Sequence, residues 1–271
     1  MRFYVYLLLL LLTPLVRASA AELPPPERFD LFLLIGQSNM AGRGELADED
    51  RVPHPRVLAF NAEEQWVPAV DPIHFDKPTM VGVGLGRTFG IALADQAPEV
   101  TIGLIPCAVG GSPIDAWTPG SYYAPTKSHP WDDALRRAKA ATQHGKLRGI
   151  LWHQGESDCN AESADAYQQK LDDLIHRLRL ELDAPEIPVI VGQLGQFPER
   201  PWNEFRQTVD CAHRELPQRV TRTAFVPSDG LVHGGDEVHF DAASYREFGR
   251  RYASVFLSLT TPTVASAPNA D

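Results

Sequence analysis

The stretch Leu31–Gly44, LFLLIGQSNMAGRG, sets the terms for the rest of the chain. Leu31 to Ile35 are apolar without interruption, which is the pattern of a strand buried on both faces. The run breaks at Gly36 and presents Gln37, Ser38 and Asn39 in succession. An apolar strand that ends in glycine and hands over to polar residues places reactive groups at the carboxyl edge of a parallel sheet. Ser38 is then a candidate nucleophile, provided that a base lies elsewhere in the chain. Its competing reading is a helix N-cap.

The same alternation recurs downstream. Strands are expected at Asp30–Ile35, Arg56–Phe60, Val100–Ala108, Arg148–Trp152, Pro188–Gly192 and Arg219–Val226. Helical spacing runs through Gly82–Gln96, Trp131–His144, Ala161–Leu182, Trp202–Leu216 and Ala242–Leu259. On the second of these helices Arg136, Arg137 and Lys139 are expected to face water; on the third, Tyr167, Leu171, Ile175 and Leu178 form the core face. Asn61–Thr79 carries no decodable pattern. Strands alternating with helices specify an α/β fold, a parallel sheet covered on both faces, in one domain spanning residues 30–259. Gly82, Gly84 and Gly86 do not follow a clear strand, so they do not make a phosphate loop.

Residues 1–20 stand apart. Arg2 precedes an apolar run from Phe3 to Val16, and Ala18-Ser19-Ala20 gives a small-residue cleavage site. This is the pattern of a secretory leader removed after Ala20, so a secreted or periplasmic protein is expected. The run is short for a bilayer span, and no stable membrane association is expected. Residues 21–29 read as a proline-rich linker and residues 260–271 as a disordered tail. Loss of Arg2 and Arg17 with the leader takes the net charge from −10 to −12. Such an acidic chain is a poor nucleic-acid binder. Cys107, Cys159 and Cys211 allow one disulfide and one free thiol in an oxidising compartment, and the sequence does not choose the pair.

Three strand ends carry chemistry: Gln37-Ser38-Asn39, Gly110-Gly111-Ser112 and His153-Gln154-Gly155-Glu156. A fourth element, Asp229 to Asp241, precedes the last helix and holds Asp236 and His239 three residues apart. A serine hydroxyl needs an adjacent base, a histidine can take and return its proton, and an aspartate fixes the tautomer of that histidine. Backbone N–H groups at glycine turns can hold an oxyanion.

These residues resemble the SGNH (GDSL-like) hydrolase superfamily, and within it the carbohydrate esterase branch of acetylxylan esterases and sialate O-acetylesterases. The resemblance rests on Gly36-Gln37-Ser38-Asn39-Met40, Gly110-Gly111-Ser112, His153-Gln154-Gly155-Glu156 and Asp236-x-x-His239. It implies a flavodoxin-like three-layer α/β/α sandwich, and a secreted serine esterase acting on O-acetylated carbohydrate without metal or cofactor. It implies Ser38 as nucleophile, His239 as base and Asp236 as orienting acid. The implied oxyanion hole is the N–H of Ser38, the N–H of Gly111 and the amide of Gln154, a glutamine where the wider superfamily has asparagine. Gln37, Asn39, Gly110, His153 and Glu156 are implied neighbours or substrate contacts.

Each has an alternative. Asp229 and His233 imitate the Asp/His pair, and His153 and Asp158 could join His239 around zinc. Glu156 fits a structural carboxylate that pins the Gln154 loop. Gln37 and Asn39 could simply cap the helix that follows. Trp117 and Trp152 suit a core better than a sugar platform. Other short-chain esters, or carbohydrate binding without turnover, are the competing functions.

Overall fold

The computed structural model describes residues 23–261. The expected leader, the start of the linker and residues 262–271 of the expected tail lie outside that range. Within it, seven strands form one sheet: β1 Phe29–Gly36, β2 Val57–Phe60, β3 Trp66–Pro68, β4 Thr101–Pro106, β5 Lys146–His153, β6 Val189–Gly192 and β7 Thr223–Val226. Their order is β3-β2-β4-β1-β5-β6-β7. Every pairing is parallel except β2 with β3.

Seven α-helices accompany them among the described residues: α1 Ser38–Ala41, α2 Leu85–Gln96, α3 Pro130–Ala141, α4 Ala164–Glu181, α5 Glu204–Arg214, α6 Leu216–Arg219 and α7 Ala242–Thr260. The alternation along β1 divides two cores, because successive side chains point to opposite faces of a strand. Phe29, Leu31, Leu33 and Ile35 pack with residues of α3, α4 and α5, including Trp131, Tyr167 and Val209. Phe32 and Leu34 pack with residues of α2 and α7, including Phe89, Tyr245 and Phe256. The result is a three-layer α/β/α sandwich with β1 at its centre.

That centre positions the site. From β1 the chain builds β2 and β4 on one side, then crosses to β5 on the other. Clefts form at such a reversal, outside the carboxyl ends of the strands. Leu34 is level with Pro106 on β4, and Gly36 is level with His153 on β5. The three polar strand ends therefore meet at one edge. Gly36 has φ +132°, and a Cβ there would lie 2.1 Å from the carbonyl oxygen of His153. Only glycine lets the chain turn this tightly against β5.

Several expectations need correction. The stretch Asn61–Thr79 contains β3, whose three residues are too few to show an alternation. The last strand begins at Thr223 rather than Arg219, since Leu216–Arg219 forms α6. Arg137 does not face water. It is 4% exposed, its guanidinium lies 5.2 Å from the Phe60 ring and 4.8 Å from the Phe75 ring, and it donates to the Phe60 carbonyl. Two aromatic faces and a carbonyl replace the water it gives up. The linker is also shorter than expected: Pro26–Arg28 forms a 3-10 turn and β1 opens at Phe29. The four predicted core positions of α4 are all buried.

α2 and α7 cross where Gly249 meets the backbone of α2. A Cβ at Gly249 would lie 2.4 Å from the Leu85 carbonyl oxygen and 2.9 Å from the Phe89 nitrogen. Gly249→Ala gains about 1 kcal/mol of helix propensity. Overpacking against rigid backbone costs about 1–3 kcal/mol, and the close approach to Leu85 puts this site at the upper end. The net loss of about 2 kcal/mol should lower the thermal midpoint by about 4–8 °C. A variant as stable as its parent would show that the helices separate freely.

Candidate active site

The turn after β1, the Gly110-Gly111 turn and the loop carrying Asp236 and His239 converge on one cleft. Ser38 opens α1 directly after β1, with Gln37 in the N-cap position. Ser38 Oγ lies 2.9 Å from His239 Nε2, and His239 Nδ1 lies 2.5 Å from Asp236 Oδ2. Asp236 Oδ1 accepts from the backbone N–H groups of Val238 at 2.9 Å and His239 at 2.8 Å. Partial burial works against ionising this carboxyl, but those donors and the His239 ring outweigh it and hold Asp236 below the ordinary carboxylate range. The loop is closed by Gly234 donating to the His239 carbonyl and Asp241 to the Val232 carbonyl. α7 starts immediately after it, with the Asp241 carboxylate capping the Ser244 N–H at 2.7 Å.

Asn39 joins the two halves. It is fully buried and does not cap α1. Its Nδ2 donates to Glu156 Oε1 at 2.5 Å and to the Val238 carbonyl at 3.0 Å. Its Oδ1 accepts from Tyr245 Oη at 2.6 Å and from the Phe240 N–H at 3.4 Å. Glu156 is thus a structural carboxylate, and through Asn39 it ties the Gln154 loop to α1.

The cleft has a volume of about 320 Å³, and Gln37, Ser38, Gly111, Glu156 and His239 are among its walls. A larger hollow of about 570 Å³ sits at the opposite edge of the sheet, beside Asp30, Arg148 and Arg222, with no serine or histidine in its lining. Of the two, only the smaller cleft is lined by a serine and a histidine.

Gln154 does not reach that cleft. It is fully buried, its Nε2 donates to the Ser112 carbonyl and to Asp158, and its Oε1 accepts from Tyr167 Oη at 2.8 Å. Both amide hydrogens are committed, so none remains for an oxyanion. Burial pushes the Asp158 carboxyl up to about 6, and its bond to Gln154 partly offsets this. Gln37 has the opposite arrangement. Its Oε1 accepts from the N–H groups of Gly155 at 3.4 Å and Ser157 at 3.3 Å. Those two donors fix which end of the amide is oxygen. Nε2 is left without an acceptor among the described residues, at the cleft wall.

The N–H of Ser38 begins α1, and that of Gly111 has no acceptor among the described residues. Gly111 sits at φ +80°, and its carbonyl is held by Tyr123 Oη at 2.7 Å and Ser157 Oγ at 3.0 Å. The preceding N–H, of Gly110, donates to Asp76 Oδ2 at 2.7 Å, and Asp76 pairs with Arg43 at 3.2 Å. Asp76 lies in the stretch Asn61–Thr79, which carried no motif. An acidic residue in a long loop was its only signal.

The alternatives separate on geometry. Asp229 meets Gln196 at 3.5 Å rather than His233, and His233 Nδ1 accepts from Gly235 and Glu237. His153 is buried among Phe240, Phe248 and Tyr252. Burial holds its ring below the ordinary imidazole range. Among the described residues no three His, Cys, Asp or Glu side chains converge as a metal site. Trp117 and Trp152 are core residues, edge to face at 5.4 Å. The three cysteines are free thiols.

Two variants distinguish the glutamines. Gln37→Ala should lower kcat about 10²–10³-fold with little change in KM, the effect of losing one oxyanion donor. Gln154→Ala should instead lower the thermal midpoint, since Tyr167 and Asp158 lose a buried partner at about 1–3 kcal/mol. Measuring kcat, KM and midpoint on each preparation decides. A stable Gln154→Ala enzyme with collapsed kcat would return the role to Gln154. Asp76→Ala should free the Gly110 turn and cost about tenfold to a hundredfold in kcat, the scale of an ångström-sized misplacement. Undiminished kcat would show that the turn holds its own shape.

A family profile described as carbohydrate esterase, sialic acid-specific acetylesterase matches residues 28–258. A probable carbohydrate esterase of Arabidopsis thaliana is 28% identical over 257 residues, covering 86% of this chain and 92% of that protein. The crystal structure of that Arabidopsis protein superimposes with a TM-score of 0.76, over 87% of this chain and 99% of the other. NanS, at 19% identity, covers 87% of this chain and 98% of its own with a TM-score of 0.66, and shows the shared fold. Human sialate O-acetylesterase is 29% identical over 167 residues, 48% of this chain and 32% of that protein. The chain belongs to the carbohydrate esterase family of sialic acid-specific acetylesterases, which are carboxylic ester hydrolases.

Proposed function

We propose that the protein is an exported serine esterase that removes O-acetyl groups from carbohydrate through Ser38, His239 and Asp236. The observation that carries this reading is the unbroken chain from Ser38 Oγ to His239 at 2.9 Å and from His239 to Asp236 at 2.5 Å. Family membership supports the substrate class, and the leader pattern of residues 1–20 supports export.

Ser38 Oγ attacks the acetyl carbonyl carbon and passes its proton to His239 Nε2. Asp236 holds Nδ1–H and stabilises the imidazolium that forms. The carbonyl oxygen becomes an oxyanion facing the N–H of Ser38, the N–H of Gly111 and the Gln37 amide. Charge on that oxygen is small in the bound ester and large in the transition state, so these donors lower the barrier more than they tighten binding. Collapse of the intermediate expels the sugar hydroxyl, which takes the proton from His239. Water then attacks the acetyl-serine by the same route, releasing acetate.

Ser38→Ala and His239→Ala should each abolish nearly all acetate release from acetylated sugars. The double variant should be little worse, because the two act as a unit. Asp236→Asn should cost up to about 10⁴ in kcat by favouring the wrong tautomer. Since Asp236 stays ionised below the usual carboxylate range, acid loss of kcat/KM should follow one ionisation, that of the imidazole, which must be neutral to act as base. Chelators should leave the rate unchanged. Full activity in Ser38→Ala, or chelator loss restored by zinc, would remove this reading.

A further inference from the structure

We propose that His233 is a positioning residue for the turn that carries Asp236 and His239: its Nδ1 gathers two backbone N–H groups of that turn and so sets where the carboxylate and the imidazole stand against Ser38. The proposal rests on the esterase reading above and deepens it at the same site.

His233 Nδ1 accepts from the N–H of Gly235 at 3.0 Å and from the N–H of Glu237 at 3.3 Å. These two residues stand on either side of Asp236. Both have left-handed backbone, Gly235 at φ +111° and Glu237 at φ +59°. Glycine takes such a φ freely, whereas a glutamate there is uncommon and persists only where its surroundings hold it. N–H groups that converge in such a turn make a concave donor site, and the imidazole lone pair fills it. The rest of the loop is satisfied by other means. Gly234 donates to the His239 carbonyl and Asp241 to the Val232 carbonyl, and Asp236 Oδ1 takes the N–H groups of Val238 and His239. Among the described residues the N–H groups of Gly235 and Glu237 have no acceptor besides His233.

A clamp must itself be fixed. The His233 ring lies edge to face on Phe197 at 5.1 Å, and the buried Phe197 packs on Phe240 at 5.5 Å. The His233 backbone also bridges to Phe240. A nitrogen that accepts two N–H groups carries no proton, so the ring proton sits on Nε2. Nε2 faces Glu199 Oε2 at 3.4 Å, which suits that tautomer.

His233 is not among the walls of the cleft. Its effect on the reaction passes through Asp236, whose carboxylate holds His239 Nδ1 at 2.5 Å. A turn released on both sides of Asp236 shifts that carboxylate and the imidazole together, and the 2.9 Å contact from His239 Nε2 to Ser38 Oγ is lost. Substrate binding is untouched by such a shift, so the loss falls on kcat.

Three substitutions separate the acceptor from the ring. In His233→Asn the amide oxygen takes the place of Nδ1 and the ring is lost. In His233→Phe the ring stays on Phe197 and the acceptor is lost. In His233→Ala both are lost. Each is assayed by acetate release from 4-nitrophenyl acetate, with kcat counted per serine that a fluorophosphonate labels at completion, which leaves unfolded chains out. His233→Phe and His233→Ala should each lose about tenfold to a hundredfold in kcat with KM nearly unchanged, the scale of an ångström-sized misplacement. Their rate of fluorophosphonate labelling should fall by a similar factor, because the base no longer meets the serine. His233→Asn should recover most of both losses. Parental kcat in His233→Phe, or a kcat in His233→Asn as low as in His233→Ala, overturns the proposal. So does a lowered thermal midpoint with parental kcat per labelled serine in all three, which is what a purely structural role gives. Where His233→Phe does not fold, His233→Asn against His233→Ala carries the test, since both lack the ring and only the former has the acceptor. Acetate release that survives Ser38→Ala removes the esterase reading and this proposal with it; parental kcat in His233→Phe of a Ser38-dependent enzyme removes the proposal alone.

Discussion

The site depends on one buried amide. The Asn39 side chain has two donor hydrogens and two acceptor lone pairs, and all four are used. They reach Glu156 after β5, Val238 and Phe240 in the histidine loop, and Tyr245 on α7. The partners in that loop and on α7 lie about 200 residues away in sequence, so these bonds close the domain onto itself. In a buried, low-dielectric setting each bond is stronger than in water, and each unmade bond is more costly. The serine is therefore placed by β1 and Gly36, and the histidine is placed relative to the serine through the neighbouring residue. This explains why an asparagine follows Ser38 directly. Its role is structural, and it acts across the whole fold.

How far this was legible in the sequence follows from the same physics. The polar strand ends could be found because a parallel sheet gathers its carboxyl termini at one edge, and each apolar run stops visibly at that edge. Asp236 and His239 could be paired because a three-residue spacing brings both to one side of a turn. The two glutamines could not be told apart. Gln37 and Gln154 both stand in turns after central strands, and only the hydrogen-bond partners of each amide decide which one retains a free donor. Tyr167, on α4, occupies the Gln154 oxygen, and nothing in the residues around Gln154 announces it. Asp76 and Arg137 were illegible for a related reason. A charged residue in a loop or on a helix reads as solvated, and its burial depends on carbonyls, rings and cleft walls contributed from elsewhere.

The two halves of the site are held by different means. Ser38, Gln37 and Asn39 sit inside the core, fixed by the sheet. Asp236 and His239 stand at the surface, with side chains 52% and 20% exposed. A buried aspartate beside a histidine must offset a large desolvation cost. Here the carboxylate keeps contact with water and takes two backbone N–H groups from its own turn, so it stays ionised without a deep pocket. Orientation then comes from the turn rather than from enclosure. The Gly234 and Asp241 bonds close that turn, Asn39 fixes its inner side, and the Asp241 cap commits the chain to α7 immediately beyond it. An exposed loop can hold a histidine in one orientation when its backbone groups are satisfied internally and a buried side chain grips it from below.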